Sequence, residues 1–352
     1  MSLLTRAADG YGHLRQVFAD PRGKATGQIV REVTDVAQRT GSSPEWYFIN
    51  FAYRREAGDY TQYLHRKQGY ALWQKLMTSE SATVLHDKLK LHELLRGLGF
   101  PLTTLLADND GATFRVDGTE RHVGDHAAFV ALVRELLGRS ATGSIFAKPV
   151  DGSRGHGCHR IDSADANLEE VYAQAQATHY LFEETLIQHP SLAAMNPPSV
   201  NTIRVLTCGE PGEPATAFAA ILRLGVGGSA VDNASHGGIF VGLEMETGRL
   251  FPEAREFFKH GGNVYTTHPD NGFRFEGAQV PHFDEVLKVA ERATAHVPHD
   301  LIGWDIAVTE AGPVIIEGNA SPHLPMMEIG LGQGLLAYPP FRKLCQRMMS
   351  AG

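Results

Sequence analysis

Apolar residues recur three and four positions apart through most of the first eighty residues, the spacing that lays one apolar stripe along a helix. The helices this predicts are QIVREVTDVAQRT (28–40), SSPEWYFINFAYRRE (42–56) and DYTQYLHRKQGYALWQKLM (59–77). In the second, Ser43 stands at the cap with Pro44 in the first turn. A further helix, VLHDKLKLHELLRGLGF (84–100), runs to a glycine stop before Pro101. The period then changes. PLTTLLAD, ATFRVD, SIFAKPV and CHRID read as short strands, with a helix DHAAFVALVRELLG among them. From YLFEETLIQ the strand pattern resumes through SVNTIRVLT, ATAFAAILRLG and GIFVGLEME, then a helix FDEVLKVAERATAH and a hairpin GWDIAVTEAGPVIIEGN. LLAYPPFRKLCQRMM closes as a helix. The reading is α+β: a helical region over 1–83, one α+β unit over 84–182 and a second over 183–352.

Composition narrows the function classes. With 32 Lys and Arg against 40 Asp and Glu, the formal net charge is −8, which argues against bulk nucleic-acid binding, although residues 1–75 are locally basic. No run reaches the ~20 apolar residues of a membrane span, and the N-terminus has no apolar signal core, so a cytoplasmic protein is expected. Three widely spaced cysteines, Cys158, Cys208 and Cys345, are expected as free thiols.

The hairpin raises the first chemical question, because its apolar strand runs directly into Glu317, Gly318 and Asn319. Reading Glu310-Ala311-Gly312 as a three-residue turn pairs Thr309 with Pro313 and places Asp305 opposite Glu317, with Asn319 on the same face. Two close carboxylates repel unless a cation lies between them, and oxygen donors favour Mg²⁺ or Mn²⁺ over zinc. In SIFAKPVDGSRGHGCHRI, Lys148 ends a strand and Gly152, Ser153, Arg154, Gly155, His156 and Gly157 form a polar, glycine-rich turn. Such a loop frees backbone N–H groups for phosphate oxygens, and a flap over a nucleotide fits it better than a P-loop, whose lysine follows its glycines. Arg154 and His156 are candidates for the terminal phosphate; Cys158 and His159 point to opposite faces of a strand, which disfavours zinc. Glu183-Glu184 breaks a strand and offers carboxylates to an amino group or ribose. Arg204 sits mid-strand in apolar company, which calls for an anionic partner, structural or bound. Arg223, Asn233 and His236 are set among glycines, and Gly225-Val226-Gly227 is no dinucleotide fingerprint because no helix follows.

The order of these signals, from Asp87-Lys88 through Lys148, the glycine flap, the Glu-Glu hinge, Arg204, Asp305 and Glu317-x-Asn319, resembles the ATP-grasp superfamily over about residues 84 to 330. ETLIQHP, NPPSVNTIRV, VDNASHGG, GWDIAV and IIEGNASP are similar to the branch called sugar-transfer-associated ATP-grasp. The resemblance implies two α+β subdomains gripping ATP, behind a helix-rich N-terminal segment. It implies that Lys88 and Lys148 hold the phosphates under the 152–157 loop, and that Glu183, Glu184 and the backbone at Leu186 meet adenine and ribose. Asp305, Glu317 and Asn319 would bind Mg²⁺, Arg204 and Arg223 would be catalytic, and Arg223, Asn233 and His236 would face the substrate. Its activity would be ligation of a small carboxylate to an amine through an acyl phosphate. A kinase-like transfer to a hydroxylated substrate, or ATP binding without turnover, are the alternatives. Related ligases often carry arginine two residues before the first metal aspartate, where this chain has Gly303, and the helical N-terminus departs from the usual preceding domain.

Overall fold

Alternation along the strands sorts them into two antiparallel sheets. The computed structural model describes residues 14–78, 82–152, 155–164, 168–209, 214–228, 237–297 and 299–350. Ser153, Arg154, Asn233 and His236 lie outside these residues. The first sheet comprises β1 (Leu105–Asp110), β2 (Thr113–Val116), β3 (Thr119–His122), β4 (Ile145–Pro149), β5 (His159–Ile161) and β6 (Tyr180–Glu184), in the order β3-β2-β1-β6-β4-β5. The second comprises β7 (Ile203–Cys208), β8 (Thr216–Leu224), β9 (Ile239–Leu243), β10 (Leu250–Arg255), β11 (Val264–Tyr265), β12 (Leu301–Thr309) and β13 (Gly312–Asn319), in the order β11-β10-β9-β8-β7-β12-β13.

The sequence pattern put the YLFEETLIQ strand at the head of the second unit, but β6 is hydrogen-bonded between β1 and β4 of the first sheet. Its neighbours bury it on both sides, so it reads as a continuous apolar run that carries no mark of which sheet it joins. Strands β3, β10 and β11 were not anticipated: TERH in β3 is exposed throughout, and β10 contains Pro252, which argues against a strand.

The helical pattern also breaks where local chemistry outweighs periodicity. SSPEWYFINFAYRRE is helical only over Glu45–Ile49, because Phe51 turns left-handed at φ 57°. The closing helix starts at Pro339, since proline holds the preceding Tyr338 extended; the residues before it form a short 3₁₀ turn. VLHDKLKLHELLRGLGF is two helices, Ala82–His86 and Lys88–Gly97. Asp87 is the break: its carboxylate accepts from the Lys90 N–H and caps the second helix, which leaves Lys88 as the first helical residue.

Both faces of the second sheet are covered. On one, Ile203, Val205, Leu222 and Trp304 pack against helix Phe283–His296 and against Leu85, Leu91 and Leu95 of the two short helices. On the other, Leu206, Ile221 and Leu301 meet the N-terminal helices and the closing helix in a single core, each contributing on the order of 2 kcal/mol by burial. The N-terminal helical region is thus built into the second sheet's core. Glu328, with no exposed surface, ties this packing together by accepting from Asn50 Nδ2 at 2.5 Å and from the Leu64 and Leu335 N–H groups at 3.0 Å. The first sheet has its own core, with Phe129, Val133 and Leu136 of helix His126–Arg139 over Phe114 and Phe182.

Candidate active site

Strand alternation explains the placement of the charged residues. Arg204 shares a face of β7 with Leu206, Arg223 shares a face of β8 with Ile221, and Asp305 shares a face of β12 with Leu301. All three continue the apolar face that the N-terminal helices cover, and they stand at the end that those helices leave open. Asp305 is directly opposite Arg204 in the ladder. Arg204 donates from Nε and Nη2 to the two oxygens of Asp305, the second at 2.8 Å, and Arg223 Nη2 lies 3.1 Å from Asp305 Oδ2. Arg223 also donates to Thr202 Oγ1 at 3.0 and 2.8 Å. Burial alone raises the Asp305 pKa, but the charges of Arg204 and Arg223 outweigh it and hold the carboxyl at about 2.

The hairpin reaches the expected pair by a different route. Its closing pair is Thr309 with Gly312 around a two-residue turn, so Val308, Ala307 and Ile306 face Pro313, Val314 and Ile315, one residue off the expected register. A bulge between Ile306 and Asp305 then absorbs Ile316 and restores Asp305 opposite Glu317. Asn319 donates to Glu317 Oε1 at 3.2 Å and to the Gly303 carbonyl at 3.1 Å. Burial raises the Glu317 carboxyl pKa, and the adjacent Asp305 charge adds to the rise, while Lys88 pulls the other way. Two carboxyls pressed together beside an amide, one of them favouring a proton, form a set of oxygen donors that fits a hard divalent cation in the proton's place.

The first sheet supplies the opposite wall. Lys148 Nζ and Glu183 Oε2 form a buried pair at 2.7 Å. Lys88, from the second sheet's side, donates to the carbonyls of Val150 at 3.1 Å and Gly152 at 2.7 Å, which stitches the glycine loop to the Asp305–Glu317 end. Burial lowers the Lys88 pKa, and Glu317 partly offsets this. Glu184 points elsewhere: its carboxylate accepts from Ser140 Oγ at 3.2 Å and Thr142 N at 3.0 Å, fixing the turn before β4. The segment leading to Arg204 is set by a buried amide network. Gln188 donates to the Ser199 carbonyl at 2.6 Å and accepts from Asn201 N at 3.0 Å, and Asn196 donates to Ser199 Oγ at 2.7 Å.

A cavity of about 430 Å³ between the sheets is lined by Lys88, Lys148, Gly152, Gly155, His156, Glu183, Glu184 and Leu186, with Arg223, Asp305 and Glu317 at its inner end. Gly157 is not among the lining residues; its carbonyl accepts from Tyr180 Oη at 2.9 Å. The sequence reading missed Phe146, Ile187 and Ile316 in the same lining. Phe146 was legible, since it lies two residues before Lys148 on one strand face. Ile316 was not, because only the bulge turns it to the side of Glu317.

A profile for the sugar-transfer-associated ATP-grasp proteins matches residues 68–340. The chain belongs to that family. This ATP-grasp chain is also similar to solved structures. The ATP-grasp ligase PsnB, complexed with a minimal precursor, Mg and ADP, is 16% identical with a TM-score of 0.44, over 77% of this chain and 60% of that one. D-alanyl-alanine synthetase A from Vibrio cholerae O1 is 13% identical with a TM-score of 0.47, over 78% and 67%. The purK N5-carboxyaminoimidazole ribonucleotide synthetase is 11% identical with a TM-score of 0.43, over 75% and 52%. The ATP-grasp chain thus spans about three fifths of the length of PsnB. No curated protein matches it. Among the described residues no helix is long and apolar enough to cross a membrane.

One departure from the related ligases has a steric basis. A Cβ at Gly303 of this family member would lie 2.6 Å from Pro322 Cβ and 3.2 Å from Arg204 Cδ. Pro322 first, and then the Arg204 side chain, crowd the space into which a residue at 303 would grow.

Proposed function

We propose that the protein is an ATP- and Mg²⁺-dependent carboxylate–amine ligase. The observation that carries this reading is the meeting of two cavities. The nucleotide-sized cavity and a second one of about 630 Å³ share Lys88, Gly152, Arg223 and Glu317. A group handed from one ligand to another would cross there, whereas a protein that only binds ATP has no use for the second cavity.

In this reading Lys148, oriented by Glu183, and Lys88 hold the phosphates, Phe146, Ile187 and Ile316 enclose the base, and Asp305, Glu317 and Asn319 hold Mg²⁺. The bound ion would neutralise phosphate charge and polarise the group being transferred. A carboxylate oxygen of the second ligand attacks the γ-phosphorus as the bond to ADP breaks. An amine then attacks the acyl carbon, and phosphate leaves as the amine loses its proton. Arg223 borders both cavities and stabilises the transferring group by charge placed where charge develops. Arg204 delivers, from the neighbouring strand, the guanidinium that related ligases carry at the position of Gly303, and it holds Asp305 for the ion. Neither step needs a protein nucleophile; positioning supplies the rate.

The test measures ADP and inorganic phosphate in parallel, with MgATP and pools of acids, amines and sugars. Equal release of both, dependent on an acid and an amine together, is the expected result. ADP without free phosphate would mean that the phosphoryl group stays on the product, and would replace the ligase with a phosphotransferase.

A further inference from the structure

Two of the three tryptophans of the chain stand in the wall of the second cavity. Trp73 and Tyr70, three residues apart on helix Arg66–Met77, stack with ring centroids 5.7 Å apart at 24°. They are 45% and 57% exposed, a large apolar area to leave open unless something covers it. Trp46 completes the wall by closing on Gly69, where an added Cβ would lie 2.1 Å from the indole. A glycine inside a helix costs about 1 kcal/mol relative to alanine, and here it makes room for that ring.

The rest of the cavity has a distinct polarity. Lys88, Arg204 and Arg223 form its inner end, Arg66 stands at the outer end paired with Glu45 at 2.8 Å, and Phe257 and Pro322 face the aromatic wall. Among the described residues, Glu317 is the only carboxylate in the lining, and it lies at the junction with the nucleotide cavity. Gln74 Nε2 donates to Tyr70 Oη at 3.4 Å from outside the lining, and among the described residues no aspartate or glutamine is in the lining itself.

We propose that, if the ligase reading holds, the carboxylate substrate carries an aromatic ring: the ring stacks on Tyr70 and Trp73 while its carboxylate points to Arg204 and Arg223. The N-terminal helical region is then the specificity wall of the enzyme, with Tyr70, Trp73 and Trp46 as its determinants.

The probe is 3-phenylpropionate, titrated into the full chain with and without Mg²⁺ and a non-hydrolysable ATP analogue, using the fluorescence of Trp46 and Trp73. Propionate, 3-phenylpropan-1-ol and glucuronate are the controls. The expected result is a saturable change with 3-phenylpropionate and about tenfold or weaker binding of each control, because ring stacking and the carboxylate contribute separately. Tyr70→Ala and Trp73→Ala, both at exposed positions, weaken binding about tenfold, and Trp73→Phe restores most of it. Equal binding of propionate or glucuronate, no saturable change with 3-phenylpropionate, or indifference to the alanine variants overturns the proposal. The ADP and phosphate assay separates the two readings. Ring-dependent binding without ADP release keeps the aromatic wall and removes the ligase. Acid-dependent ADP and phosphate release whose KM is unchanged in Tyr70→Ala and Trp73→Ala keeps the ligase and removes the wall.

Discussion

Glu328→Gln is expected to make the protein more stable at pH 8 and to remove most of its loss of stability between weakly acidic and weakly basic pH. Burial raises the Glu328 carboxyl from 4.5 to about 8 against the pull of its donors, Leu64 N, Leu335 N and Asn50 Nδ2. That difference of about 3.5 units corresponds to about 5 kcal/mol. The folded pKa lies above the unfolded one, so this group's stabilisation is complete below about 4.5 and is lost progressively as pH rises to about 8. Asn50 Oδ1 is a buried acceptor without a partner among the described residues. Turning that amide over lets Oδ1 accept the carboxyl proton. Glutamine offers the same pattern permanently, with Oε1 accepting from Leu64 and Leu335 and Nε2 donating to Asn50. Urea unfolding of both proteins at pH 5 and pH 8 measures the effect. Over that interval the difference between them is expected to move in the variant's favour by about 3–4 kcal/mol. A difference that does not change with pH would mean that Glu328 is ionised in the folded protein and that its three donors, not burial, set its state.

Glu317→Ala is expected to abolish turnover and the Mg²⁺ dependence of nucleotide binding, followed by calorimetry with and without the ion; unchanged turnover would remove Glu317 from the metal set. Arg204→Lys keeps a charge but loses the two-point contact to Asp305, so kcat is expected to fall about 100-fold or more. Its unfolding free energy should fall by about 1.5–3 kcal/mol, because the lysine keeps the charge but not the paired hydrogen bonds to the two oxygens of buried Asp305; a variant with full kcat would assign Arg204 to structure only. Gly69→Ala would ordinarily stabilise a helix, but here the added Cβ meets Trp46 and is expected to cost about 1–3 kcal/mol with a change in tryptophan emission. A gain in stability would show that Trp46 does not rest on that glycine.

Much of the site was legible because strand alternation is a strong rule. Arg204 in apolar company and Lys148 at a strand end follow from period two, whereas Asp305 meets Glu317 only through the bulge, and each lies in or beside the cavities. What was hidden depends on long-range packing. Nothing in YLFEETLIQ marks its strand as an inner member of the first sheet. Nothing local in QGYALWQKLM shows that its aromatic side faces a cavity whose floor comes from residues some 130 to 250 positions later. Asp87 reads as a surface residue of one long helix until its role as a cap splits that helix and aims Lys88 at the glycine loop.

The compensated hairpin has a corollary for insertions and deletions. A three-residue turn without a bulge and a two-residue turn with one both leave Asp305 facing Glu317, so this pair is a fixed point under slippage of the strand tip. What selects the bulged form is Ile315, which is 2% exposed in the second sheet's core and whose N–H donates to the Pro101 carbonyl at 3.0 Å. A residue inserted in the 310–312 turn can therefore be absorbed by loss of the bulge, and the reverse. The cost falls on the cavity wall at Ile316, while the Asp305–Glu317 pair keeps its geometry.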